Sequence, residues 1–144
     1  MNIVIYTDGG CKNNQVAEKR VAYASFAIYN DSHDLMPGER LHVETKSLGN
    51  MTNNEAEYWA TIIGLTEALS QTNQVQAEKI ILRTDSRLVV NQLGGEFKIK
   101  RETLKPLYKF CVYLIEQLEK RSKSGSGVEI RWTPREEIVK ILGH

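Results

Sequence analysis

Cysteine is nearly absent from this chain of 144 residues: there are two, Cys11 and Cys111, and neither belongs to a CxxC pair. That excludes a dense disulfide framework or a cysteine zinc site, and a reducing cytoplasmic setting is the expectation. Histidine is equally sparse, with His33, His42 and His144 scattered along the sequence. No apolar run approaches the ~18 residues of a membrane span. The opening MNIVIYTDGG has no basic stretch before its apolar run, so it does not read as a signal peptide. Charge of one sign is missing too, since 19 basic and 18 acidic residues leave +1. With 41% hydrophobic and 26% charged residues, whole-chain disorder is excluded. The length suits one domain over residues 1–144, without repeats and expected to be monomeric.

What is present is a change of period. Residues 3–7 (IVIYT) form an apolar β-branched run that reads as a buried strand ending in a turn at Asp8-Gly9-Gly10. Residues 21–29 read as a second strand, and 41–48 alternate strictly, as a half-exposed antiparallel strand does. A turn-rich connection, NDSHDLMPGE, joins those two. From Asn53 to about Ser70 the pattern becomes helical, with Tyr58, Ile62, Leu65 and Leu69 on one face and Asn53 or Asn54 as N-cap. Residues 79–84 return to strand character, and Ser86 is placed to cap a short helix through Gln92. A longer helix from about Thr103 takes Pro106 in its first turn and presents Leu107, Phe110, Cys111, Leu114 and Leu118 as an apolar stripe. On that stripe Cys111 is a buried small hydrophobe. KSGSG at 123–127 is a short break, 128–132 a fifth strand and 135–142 a last short helix. Three strands followed by β-α-β crossovers predict an α/β fold with a mixed sheet covered by helices.

Two strands end alike, IVIYT-Asp8 and IILRT-Asp85. If they lie parallel and adjacent, both aspartates emerge at one sheet edge, near a helix that opens with Glu55 and Glu57. Converging carboxylates make a hard-oxygen site, which suits Mg²⁺ or Mn²⁺ far better than zinc.

TDGGCKNN at 7–14, TNNEAEYWA at 52–60, TDSRLVVNQL at 84–93 and WTPREE at 132–137 together resemble the type 1 ribonuclease H family, in order, spacing and context, over nearly the whole chain. The segment NQLGGEFKIKRETLKPLY resembles the short form of that family, without an inserted basic protrusion. The resemblance implies the ribonuclease H-like fold, a five-stranded mixed sheet with its first three strands antiparallel and flanked by helices. It also implies endonucleolytic hydrolysis of the RNA strand of an RNA–DNA hybrid by a two-metal mechanism, leaving 5′-phosphate and 3′-hydroxyl ends. Asp8, Glu57 and Asp85 match the family's catalytic and metal-binding carboxylates. Two Mg²⁺ or Mn²⁺ ions are expected with substrate bound, Asp8 bridging them. The pattern Thr-Asn-Asn-x-x-Glu selects Glu57, which leaves Glu55 as a first-turn acid that favours the helix dipole. Asn14, Thr52, Asn53, Asn54 and Ser86 are the expected substrate contacts. Asn14, Asn53 and Asn54 match the family's minor-groove contacts, where short neutral side chains sense the RNA 2′-hydroxyl.

One departure stands out. The family's fourth acid in the last helix falls on Leu142, leaving Glu137 or His144 as substitutes. This raises a second reading, a hybrid-binding module with lost or weak turnover; a third is a ribonuclease H domain derived from a reverse transcriptase. Lys98, Lys100, Arg101, Lys105 and Lys109 also outnumber Glu96 and Glu102 locally. That stripe is either a phosphate-facing surface or a solvated helix entrance.

Overall fold

The computed structural model describes residues 2–30, 39–72, 77–95, 98–123 and 127–143. Five strands, β1 (Asn2–Lys12), β2 (Val21–Asn30), β3 (Glu39–Gly49), β4 (Lys79–Thr84) and β5 (Val128–Trp132), form one sheet in the order β3-β2-β1-β4-β5. The pairs β3–β2 and β2–β1 are antiparallel, whereas β1–β4 and β4–β5 are parallel. This is the expected mixed sheet. Four α-helices accompany it: α1 (Asn53–Gln71), α2 (Arg87–Leu93), α3 (Lys105–Glu119) and α4 (Arg135–Leu142). None of these helices is long and apolar enough to cross a membrane.

Helices α1 and α3 cover one face of the sheet. Ile3, Ile5, Phe26, Ile28, Ile80 and Leu82 from the strands bury against Tyr58, Ile62 and Leu65 of α1 and Cys111, Leu114 and Leu118 of α3. The helical periodicity predicted those faces because residues three and four apart share a side of the helix. The other face is thin: α4 supplies Ile138 and Leu142, which pack with Ala27 beside Tyr6 and Tyr29.

Several boundaries differ from expectation. β1 does not end at Asp8 but runs through Gly9 and Gly10 to Lys12, paired with β2 as far as Lys12↔Val21. Its parallel pairing with β4 stops at Thr7↔Thr84. The aspartate therefore marks the end of one ladder, not the end of the strand. The N-cap of α1 is Thr52, not Asn53 or Asn54: its hydroxyl accepts from the Glu55 amide while the Glu55 carboxylate accepts from the Thr52 amide, a reciprocal capping box. α3 starts at Lys105, two residues beyond Thr103, with Pro106 in its first turn. Phe110 leaves the predicted stripe and lies 44% exposed, because Leu107, Cys111, Leu114 and Leu118 already complete a helical face. The connection between β2 and β3 and the centre of KSGSG lie largely outside the described residues.

Candidate active site

The parallel register Thr7↔Thr84 puts Asp8 and Asp85 at the same level, where β4 ends and β1 continues alone beside β2. The gap so formed is the mouth of a cleft of about 410 Å³ lined by Asp8, Tyr23, Asn53, Glu57, Asp85 and Arg135, among others. Gly9 brings the third carboxylate there. A Cβ on Gly9 would lie 2.2 Å from the Ala56 carbonyl oxygen, so only glycine lets the α1 backbone rest directly on β1. Glu57 follows Ala56 and reaches the cleft.

Each acid is held by named partners. Glu57 accepts from the Ser86 hydroxyl at 2.7 Å and from the Asn53 amide at 3.3 Å. Ser86 also caps α2 by accepting from the Val89 amide. Asn14 accepts from the Asn53 backbone amide at 2.9 Å, tying the exit of β1 to the start of α1. The Asp85 carbonyl accepts from the Trp132 indole at 3.1 Å, and the Arg87 guanidinium stacks on that indole 4.1 Å from the ring centre. Asp8 is 2% exposed and accepts from the Tyr23 hydroxyl at 3.2 Å.

Arg135, the first residue of α4, closes the site. One of its nitrogens, Nη1, lies 3.2 Å from Asp8 Oδ1 and 3.0 Å from Asp85 Oδ2. Burial raises the Asp8 carboxyl above the usual carboxylate range; the Arg135 charge pulls it down and the Asp85 charge pushes it up. Burial likewise raises Glu57, opposed by the Ser86 hydrogen bond and reinforced by the Asp85 and Asp8 charges. Tyr23 is raised by burial and by the neighbouring Asp8. These are acids that a nearby cation relieves.

The donor chemistry fits a divalent hard cation: three carboxylates reach one cleft whose lining includes no histidine. Among the described residues no group of three or more His, Cys, Asp or Glu side chains is gathered tightly enough to hold an ion. The charge now bridging Asp8 and Asp85 is the guanidinium.

The predicted residues are thus sorted. Asp8, Glu57 and Asp85 meet in the cleft, with Asn53 and Ser86 bonded to Glu57. Asn14 and Thr52 organise the α1 start, and Asn54 lies apart, in a second groove of about 510 Å³ with Gln92, Lys98, Lys100 and Arg101. Glu55 serves the capping box. Leu142 is buried in the small cluster under α4, Glu137 is exposed on the first turn of α4, and His144 lies outside the described residues. Arg135 and Tyr23 were not singled out from the sequence. Arg135 sits inside the quoted WTPREE motif, and a cation following strand β5 at the level of two strand-end aspartates was the available signal. Tyr23 had none beyond its place in an apolar strand.

The fold and this acidic edge define a ribonuclease H-like domain. The family model described as "Reverse transcriptase-like" matches residues 7–139, and the chain belongs to that family. The bifunctional protein Rv2228c of Mycobacterium tuberculosis is 29% identical over 135 residues, which are 94% of this chain and 32% of the relative. Its N-terminal RNase H domain, solved as a fusion with maltose binding protein, superimposes with a TM-score of 0.78 at 28% identity, covering 99% of this chain and 95% of that one. LC11-RNase H1, isolated from compost by a metagenomic approach and solved in complex with an RNA/DNA hybrid, gives 0.77 at 27% identity over 96% and 89% of the two chains. Ribonuclease H1 of Rattus norvegicus is 34% identical over 90 residues, 62% of this chain and 27% of the rat protein. The chain therefore spans about a third or less of the length of these curated relatives.

Proposed function

We propose that this chain hydrolyses the RNA strand of RNA–DNA hybrids endonucleolytically, with Mg²⁺ or Mn²⁺, two ions per site once substrate is bound, leaving 5′-phosphate and 3′-hydroxyl ends. The observation that carries this reading is the gathering of Asp8 from within β1, Asp85 from just after β4 and Glu57 from α1 into a single open cleft. When bound, the ions supply neutralisation of the charge that develops on the attacking and leaving oxygens of a phosphodiester. The three carboxylates are the groups that would hold them. Ser86 and Asn53 fix the Glu57 rotamer, Tyr23 orients Asp8, and Trp132 anchors the backbone at Asp85, so the donors are aimed before substrate arrives.

Of the residues assigned to hybrid preference, Asn53 lines the cleft and Asn54 the adjoining groove, where neutral donors and acceptors suit a 2′-hydroxyl. Asn14, Thr52 and Ser86 support them by bonding the start of α1 and Glu57. Lys98, Lys100 and Arg101 beside Asn54 give that groove the cations a phosphate backbone needs. The solved relative with an RNA/DNA hybrid supports the same substrate class.

A second reading, hybrid binding with weak turnover, is favoured by one observation: the position of the family's fourth acid is Leu142, turned into the core. Binding and cleavage measured together on end-labelled hybrid, duplex DNA and duplex RNA separate the two readings. Cleavage of the RNA strand of the hybrid alone is the result expected; tight hybrid binding with no cut strand in either metal would favour the binding module.

A further inference from the structure

We infer that Arg135 is the resident counter-ion of the carboxylate edge, positioning Asp8 and Asp85 and yielding its place to divalent metal. This rests on the metal-dependent reading above. A single nitrogen of Arg135 contacts two of the carboxylates assigned above to metal, Asp8 in β1 at 3.2 Å and Asp85 just after β4 at 3.0 Å.

The asymmetry of burial says which partner moves. Asp8 is 2% exposed and Asp85 17%, but the Arg135 side chain is 55% exposed. The guanidinium approaches from the solvent side and can withdraw into water, while Asp8 is fixed in the middle of a paired strand. Arg135 also stands on a short helix: α4 has eight residues, of which Ile138 and Leu142 are buried. Without any cation, three carboxylates would face one another across one cleft, and the Arg135 charge offsets part of that repulsion. A divalent ion brings twice the charge to hard oxygen donors, so it competes directly for the same two carboxylates. No bond is made or broken in this exchange.

Competition is reciprocal: whatever Arg135 loses when metal binds, metal gains when Arg135 is removed. The test is calorimetric titration of Mn²⁺ and Mg²⁺ into the full chain without nucleic acid, comparing wild type with Arg135→Ala, Arg135→Gln and Arg135→Lys. The neutral variants should bind metal at least about fivefold tighter than wild type, with the lysine variant between, since an ammonium keeps the positive charge but lacks the planar set of donors of a guanidinium. A parallel NMR titration of the unmodified chain should shift the Arg135 guanidinium signal as Mg²⁺ binds, which keeps the test valid even if a variant folds poorly. Unchanged or weaker metal affinity in the neutral variants, or an Arg135 signal indifferent to saturating Mg²⁺, would overturn the inference alone. Absence of metal binding in every protein would overturn it together with the metal-dependent reading.

Discussion

The two faces of the sheet are built to different standards. On one, α1 and α3 bury a continuous apolar cluster that includes Tyr58, Leu65, Cys111 and Leu118, all fully inaccessible. On the other, α4 rests on the sheet through Ile138 and Leu142, and Leu142 is 9% exposed. The carboxylate cleft lies where the two meet. The heavily packed side supplies Glu57, on a helix pressed onto β1 at Gly9; the lightly packed side supplies Arg135. The contrast teaches that groups which must keep their geometry sit on the rigid face, and the cation that must move sits on the thin one.

The sharpest break in that comparison comes at Glu57. Glu57→Gln should lower kcat by about 10³-fold or more, since a carboxylate is removed from the group that acts as a unit. Glu55→Gln, two residues away, should keep most turnover and cost roughly 0.5–1 kcal/mol of stability through the capping box. Single-turnover cleavage and thermal unfolding of the pair check both; the opposite ranking would mean that the wrong helix-start glutamate had been assigned.

Gly9→Ala attacks the contact between the two layers. With a Cβ 2.2 Å from the Ala56 oxygen, β1 or α1 must shift, which should destabilise by about 3 kcal/mol and reduce turnover by displacing Glu57. Truncations sharpen the comparison of faces directly. Leu65→Ala, in the thick core, should cost about 3–5 kcal/mol, and Leu142→Ala, at the end of α4, less than about 2. Equal losses in denaturant melts would contradict the asymmetry.

A smaller effect belongs to pH. Asp8 and Glu57 are raised in the folded protein, so the stability they contribute is present below their unfolded values near 4 and is lost as pH rises through the folded ones. Metal-free protein should therefore melt lower at neutral pH than in mild acid relative to Asp8→Asn, which lacks one of these ionisations. Added Mn²⁺ should narrow the difference. The smallest effect on chemistry is expected from replacing Lys98, Lys100 and Arg101 with Ala. KM should rise and the salt slope flatten by up to about three, while kcat barely changes.

The strands, the helices and the three carboxylates were legible because strand runs, helical periodicity and motif spacing are local properties of the sequence, whereas the parallel β1–β4 pairing stood there only as a condition that the sheet fulfils. The capping box was written there as well, in Thr52 and Glu55, yet two asparagines beside it offered equally good caps. The end of β1 was not legible, since a strand that loses one neighbour and keeps the other shows no change in its own residues. Arg135 escaped for a different reason. Its role arises from α4 reaching across to Asp8 and Asp85, contacts between residues 127 and 50 positions apart. Leu142 was visible as an anomaly, and its burial beside Ala27 explains why an apolar residue is stable there.

The most direct test of the central claim is single-turnover cleavage of a hybrid labelled on its RNA strand, in Mg²⁺ and in Mn²⁺, by the unmodified chain and by Asp8→Asn. Metal-dependent RNA cuts bearing 5′-phosphates, lost in Asp8→Asn while hybrid binding and the folded state persist, are the predicted result. Equal cleavage by the two proteins, or cleavage undiminished by chelator, would contradict it.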